Sequence, residues 1–220
     1  MGLLDRISTR KSESEPAVFQ PPAQDSDPLF STKALRKFLG CLTSHDGPVL
    51  IDLGPVVGSN VAYFGEQLGC KIFVTDVFAD LDRFAREGRM EEFGDFLAKK
   101  FTQESGSVDG ILCWDFIDYL DKPAAQKLAD QLTRVLRPEG ALLGFFGTAP
   151  QNGGGDTYYN KFIVADEGVN LRARAYPALR ARQSTMLNRD IIKLFSGLRV
   201  SDSFLLKNNQ REILFRKPAA

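Results

Sequence analysis

Short apolar runs recur along the chain around Leu50, Phe73, Leu112 and Leu143, and none of them alternates with polar residues. Runs of this kind predict strands buried on both faces, as in a parallel sheet covered by helices. Between them the period becomes helical. Leu35, Phe38, Leu39 and Leu42 share the face of a helix that Ser31 is placed to cap and Phe30 to staple onto Leu35. Val61, Phe64 and Leu68 mark a second helix. Asp80 to Arg86 carries Leu81, Phe84 and Ala85, and Met90 to Phe101 carries Met90, Phe93, Leu97 and Phe101, with no clear strand between these two helices. Asp121-Lys122-Pro123 opens another, with Leu128, Leu132, Val135 and Leu136 on its apolar face. A short helix from Asn188 to Phe195 ends at Gly197. Two strands, Arg199 to Leu206 and Arg211 to Phe215, then form a hairpin turned by Lys207-Asn208-Asn209-Gln210.

The first of the apolar runs ends in chemistry. Val49-Leu50-Ile51-Asp52-Leu53-Gly54-Pro55-Val56-Val57-Gly58-Ser59-Asn60 reads as strand, glycine turn and helix start. Glycine lets backbone approach a ligand because no Cβ obstructs it, and the helix start adds free N–H groups. The next strand, Lys71 to Thr75, ends at Asp76, about 20 residues past the glycines, where nucleotide-binding βαβ units place an acid on ribose hydroxyls. The alternative is a plain strand-turn-helix without a ligand.

At these residues the chain resembles the class I S-adenosylmethionine-dependent methyltransferases. Their first motif, Asp-x-Gly-x-Gly-x-Gly, stands here as Asp52-x-Gly54-x-Val56-x-Gly58. Val56 replaces the middle glycine and Pro55 stiffens the turn before it, so a side chain intrudes where the ligand's amino-acid end passes. Val108 to Leu120 resembles the family's fourth strand and the loop leaving it, and Val135 to Gly140 its turn into strand five. The resemblance implies S-adenosylmethionine as cofactor and Asp52, Gly54, Gly58, Asp76, Val77, Trp114 and Asp115 as its binding residues. Trp114 either stacks on adenine or substrate or packs in the core. The resemblance also implies a three-layer Rossmann-like sandwich whose mostly parallel sheet ends in an antiparallel C-terminal hairpin strand, over residues 29–217. The family's third strand would be followed by an acid near the adenine. Only Asp95 is available, inside a helical pattern, so that strand is either short or replaced by helix.

Residues 148–190 match nothing in the family and are expected to be a variable, substrate-side insertion. Thr148 to Gly155 reads as a flexible loop and Phe162-Ile163-Val164 as a strand. Arg172, Arg174, Arg180, Arg182 and Arg189 enrich the region in positive charge. They read first as a solvated surface, and second as a substrate lid with an anion site. Residues 1–28 are polar and proline-rich and read as a disordered leader, with Leu3, Leu4 and Ile7 as a candidate docking turn.

Composition narrows the function. Lys plus Arg and Asp plus Glu both number 28, and no recognition motif accompanies the arginines, which makes nucleic acid an unexpected partner. The lone histidine, His45, sits in a turn composition, and Cys41, Cys70 and Cys113 are too dispersed for a disulfide framework or a zinc site, so no metal is expected. Cys70 and Cys113 read as core thiols. No membrane-length apolar run, signal peptide or myristoylation pattern is present, and the expected location is the cytoplasm. The favoured function is methyl transfer from S-adenosylmethionine to a small-molecule acceptor. Asp115, Asp118, Tyr158 and Tyr159 are the only groups placed to act as a base, and spacing singles out none. The alternatives are a non-catalytic binding or structural protein on the same fold and a nicotinamide-dependent or other nucleotide-binding enzyme.

Overall fold

The computed structural model describes residues 27–148, 157–165, 170–183 and 185–219. The leader up to residue 26 and the glycine loop 149–156 lie outside the described residues.

The core is a six-stranded sheet in the order β3-β2-β4-β5-β9-β8. Its strands are β2 (Val49–Asp52), β3 (Lys71–Val74), β4 (Val108–Trp114), β5 (Leu136–Gly147), β8 (Arg199–Leu205) and β9 (Gln210–Arg216). The first four run parallel, and β9 pairs antiparallel with β5 and β8. The absence of polar alternation has a simple cause, because each strand feeds two cores. Ile51, Ile111, Cys113 and Ile213 pack against α3 (Val77–Arg86), α4 (Met90–Lys100), α5 (Lys122–Val135) and α6 (Asn188–Leu194). Leu50, Leu112, Trp114, Leu143 and Leu214 pack on the opposite face against α1 (Leu35–Leu42) and Phe64. Phe64 belongs to α2 (Gly58–Val61), which continues as a π-helical turn over Ala62–Gln67. Gly110 allows α1 to sit close on the sheet, since a Cβ there would lie 2.8 Å from Leu42 and 2.9 Å from Phe38.

The third strand of the resemblance is absent. The segment between β3 and β4 is α3 and α4, held together by rings of Phe84, Phe93 and Phe96, and β3 is the outer strand. Asp95 is on α4 and pairs with Lys127.

A second sheet decides the shape of the carboxyl edge. It has the order β1-β7-β6, from β1 (Leu29–Ser31), β6 (Tyr158–Ala165) and β7 (Asn170–Pro177), all antiparallel. The Phe162 strand is therefore longer than the sequence suggests and has a partner that the arginines concealed. This sheet also corrects the expected start of α1. Ser31 ends β1 and does not cap the helix; Thr32 Oγ1 accepts from Leu35 N–H at 3.1 Å and itself donates to buried Glu212. Phe30 meets Phe145 and Phe162 edge-on at 6.2 Å instead of stapling Leu35. Pairing with a strand some 140 residues distant overrides the local capping signal.

His45 is exposed in its turn, and Cys70 and Cys113 are buried free thiols. Among the described residues no helix is long and apolar enough to cross a membrane.

Candidate active site

Strands β2, β3 and β4 end side by side, with Asp52 in register with Val74 and Leu112. The backbone continues the pairing beyond the strand ends: Leu53 N–H donates to Leu112 O at 3.0 Å and Thr75 N–H to Asp52 O at 2.7 Å. Asp52 Oδ1 accepts from Gly54 N–H at 2.8 Å and from Trp114 Nε1 at 2.6 Å. A Cβ on Gly54 would lie 2.9 Å from that indole nitrogen, so glycine is required here for the Asp52–Trp114 contact. Trp114 reaches Asp52 because the β4–β5 register shifts between Leu112 and Trp114 and Trp114 adopts φ 50. A left-handed backbone at a bulky residue is strained and persists only where its surroundings hold it. Burial pushes the Asp52 carboxyl up to about 6, against the opposing effect of the bonds from Trp114 and Gly54.

The indole is fully occupied. It is 2% exposed and stacks on Phe162 at 5.1 Å and Phe145 at 6.1 Å, so the core-packing alternative describes it here. Asp115, the next residue, is also turned inward. Its Oδ2 accepts from Arg182 at 2.5 Å and from Asn160 at 3.4 Å. Asp118 Oδ2 accepts from Gly147 N–H at 2.7 Å and lies 3.6 Å from Arg182. Burial raises both carboxyls, Asp118 to about 7, although Arg182 works in the opposite direction. Burial works against the Arg182 charge, but Asp115 and Asp118 outweigh it and raise the guanidinium. Asp115 Oδ1 and Asp118 Oδ1 are buried with no partner among the described residues, in keeping with the burial that raises both groups.

Gly58 faces open space, and Asp76 is half-exposed. Gly58 lines a cleft with Val56, Val57 and Ser59, and Val56 is 64% exposed. Asp76 ends β3, and its Oδ1 caps α3 by accepting from Ala79 N–H at 2.9 Å. Val77 is buried, with its N–H on Leu53 O at 3.3 Å. The small sheet crosses above this edge. Asn60 clamps it, donating to Phe162 O at 2.8 Å and accepting from Val164 N–H at 2.9 Å, as a neighbouring strand would. Tyr159 stacks on Phe78 at 4.6 Å, and its hydroxyl is pushed up to about 12 by burial and then by the nearby charge of Asp76.

The structure thus separates the expected site residues into two groups. Asp52, Gly54 and Trp114 are joined as an internal brace, with Asp115 sealed behind Arg182, while Gly58 borders the cleft and Asp76 stands half-exposed at the end of β3. Sequence reasoning missed Asn60 and Arg182. Asn60 has no local signal, because its partner strand is about 100 residues away. Arg182 was one of several arginines read as solvated; it and Arg174 are instead only 12% exposed and held by Asp115 and Asp27.

Residues 51–144, the segment from the glycine turn to β5, match the family described as a methyltransferase domain. Over that segment the chain is similar to a methyltransferase domain. Solved structures share its fold at low identity. A SAM-dependent methyltransferase from Aquifex aeolicus is 14% identical, with 83% of this chain and 87% of that chain covered and a TM-score of 0.49. The 1,6-didemethyltoxoflavin-N1-methyltransferase of Burkholderia thailandensis, with bound 1,6-didemethyltoxoflavin and S-adenosylhomocysteine, is 16% identical over 84% and 78%, with a TM-score of 0.44. The [4+2]-cyclase SpnF is 12% identical over 84% and 80%, with a TM-score of 0.50. No curated protein matches the chain by sequence.

The methyltransferase domain implies S-adenosylmethionine as cofactor, and the residues present fit it. Asp76 keeps its Oδ2 unbonded among the described residues at the strand end adjoining the glycine turn, and Gly58 leaves open space where a Cβ would stand. Among the described residues no group of three or more His, Cys, Asp or Glu side chains is placed to hold a metal ion.

Proposed function

We propose that this protein transfers a methyl group from S-adenosylmethionine to a small-molecule acceptor. The observation that carries the proposal is the placement of Asp76 at the end of β3 beside the β2 glycine turn, in a segment that matches the methyltransferase domain. A half-exposed carboxylate there accepts from both ribose hydroxyls. When bound, the cofactor supplies an electrophilic methyl group. The protein's part is to position the acceptor and exclude water, and the small sheet clamped by Asn60 covers the edge where both are needed. Tyr159, with its hydroxyl pushed up to about 12, is a poor base at neutral pH, and Asp115 is shielded by Arg182. The chemistry that these residues suit is therefore transfer to an acceptor that is already nucleophilic.

Calorimetric titration with S-adenosylhomocysteine tests the proposal. The wild type binds, and Asp76→Ala weakens binding by about 1.5–3 kcal/mol, the range for hydrogen bonds to a charged group. Val56→Gly, which removes an exposed side chain from the cleft wall, tightens it. No binding at millimolar ligand would favour the second reading, a non-catalytic or differently active protein on this fold. Two observations support that second reading: Trp114 and Arg182 fill the end of β4, and the fold neighbour SpnF is described as a cyclase.

A further inference from the structure

The small sheet has two unlike faces. Phe162 and Leu171 point into the core. Lys161, Ile163, Arg172, Arg174 and Tyr176 line the other face, which closes a cleft of about 470 Å³ against Val56, Val57, Gly58 and Ser59. That volume suits a small molecule.

Among the described residues the charge in this cleft is unbalanced. Cross-strand pairing sets Lys161 opposite Arg174, with Arg172 two residues earlier on β7 and so on the same face. Arg174 is neutralised and fixed by Asp27, whose Oδ2 lies 2.8 Å from Nε and 2.7 Å from the terminal nitrogen. Lys161 Nζ stands 4.0 Å from the centre of the Tyr176 ring, a contact that holds the ammonium without neutralising it. Arg172 has no acceptor among the described residues, and no acidic side chain lines the cleft among them. Tyr176 stacks on Tyr159 at 6.0 Å, and Tyr159 is the residue whose hydroxyl feels the charge of Asp76. Tyr159 and Tyr176 therefore link the face that carries the cations to the neighbourhood of Asp76.

We propose that this cleft is an anion subsite for the acceptor: the molecule methylated is a small organic anion whose carboxylate or phosphate is held by Lys161 and Arg172. The proposal rests on the methyltransferase reading above for the word acceptor, while the anion site stands on the geometry alone. The sulfonium that such a reaction consumes is itself positive, and two nearby cations with no acid beside them among the described residues would oppose its binding unless an anion sits between them. An acceptor carrying that anion removes the repulsion and completes the site, which makes the order of events cooperative. The same chemistry is present in the carboxylate of the cofactor's amino-acid end, and the experiment separates the two sources.

Inorganic pyrophosphate is titrated calorimetrically into the full chain, alone and with S-adenosylhomocysteine present. The expected result is binding by the wild type that weakens with added salt. Lys161→Gln and Arg172→Gln each weaken it about tenfold or more, the lower end for a charge-assisted hydrogen bond. Both side chains are half-buried on the cleft face, and unchanged thermal melting shows that the variants remain folded. S-adenosylhomocysteine and 5′-methylthioadenosine, which lacks the amino-acid carboxylate, should bind these variants as they bind the wild type. Pyrophosphate that fails to bind at millimolar concentration, or binds the double variant equally well, overturns the site. Variants that lose affinity for S-adenosylhomocysteine but keep it for 5′-methylthioadenosine show that the cations hold the cofactor's carboxylate, which overturns the assignment to the acceptor. A wild type that binds pyrophosphate but not S-adenosylhomocysteine leaves the anion site standing and removes the methyltransferase reading instead.

Discussion

Trp114 donates its indole N–H to Asp52 Oδ1 across 2.6 Å, tying the end of β4 to the end of β2 beneath the glycine turn. Replacing Trp114 with Phe keeps most of the aromatic surface and deletes the donor. The buried carboxylate then keeps only the Gly54 N–H, and the expected loss is about 1–3 kcal/mol in urea unfolding. The Asp52 carboxyl should also titrate higher than its present value of about 6, since the indole bond lowers it. Carbon-detected NMR titration of Asp side chains reads this directly. An unmoved Asp52 would show that the bond carries no weight.

Asn60 makes the contact that holds the small sheet to the domain. Asn60→Ala strands Phe162 O and Val164 N–H together, and amide exchange over β6 and β7 should rise while Ile51 and Leu112 stay protected. Equal protection before and after the change would mean that aromatic stacking under Phe162 suffices to hold the sheet.

Arg182 faces two buried carboxylates. Arg182→Ala leaves them without their cation, and breaking a buried pair in this way costs about 3–5 kcal/mol at neutral pH. The loss should shrink in acid, where both carboxyls are protonated, and Asp115→Asn in the same chain should recover part of it. Denaturant midpoints at acid and neutral pH for the single and double variants give the comparison.

The raised carboxyls also set the pH dependence of the wild type. Asp52 stands at about 6 and Asp118 at about 7, with Asp115 raised as well, while in the unfolded chain such groups titrate at about 4. Across that window the unfolded chain has already lost protons that the folded chain retains. Folding therefore takes up protons, and stability falls as pH rises, by about 1.4 kcal/mol per pH unit for each group still protonated in the fold. Above about pH 7 the decline from Asp52 and Asp118 ends. Urea midpoints measured from pH 5 to pH 8 should decrease and then level; midpoints that increase over this range would show that the carboxylates are stabilised as anions.

What the sequence determined by itself is the part whose signals are local. Unalternated apolar runs specify strands sandwiched between two layers, and the 3.6-residue period of α1, α3, α4 and α5 specifies the helices that cover them. Gly54, Gly58 and Asp76 marked a candidate ligand edge because turn chemistry and strand-end position are written in adjacent residues. The same local signals left open whether the family's third strand is short or replaced by helix, and the structure decided for helix. Only the tertiary structure decided what those edge residues touch. Trp114 and Asp115, adjacent in sequence, went to different partners because a register shift against β5 turns the indole toward Asp52, while Arg182 captures the carboxylate. Ser31 lost its capping role to strand pairing with β7, and Thr32 took it. The arginines of β7 and the segment after it divided into buried braces, Arg174 and Arg182, and a cleft cation, Arg172, with no acid partner among the described residues, according to which acids the fold brought near them. Charge pairing and burial depend on contacts between residues far apart in the chain, and a sequence carries no periodicity that marks them.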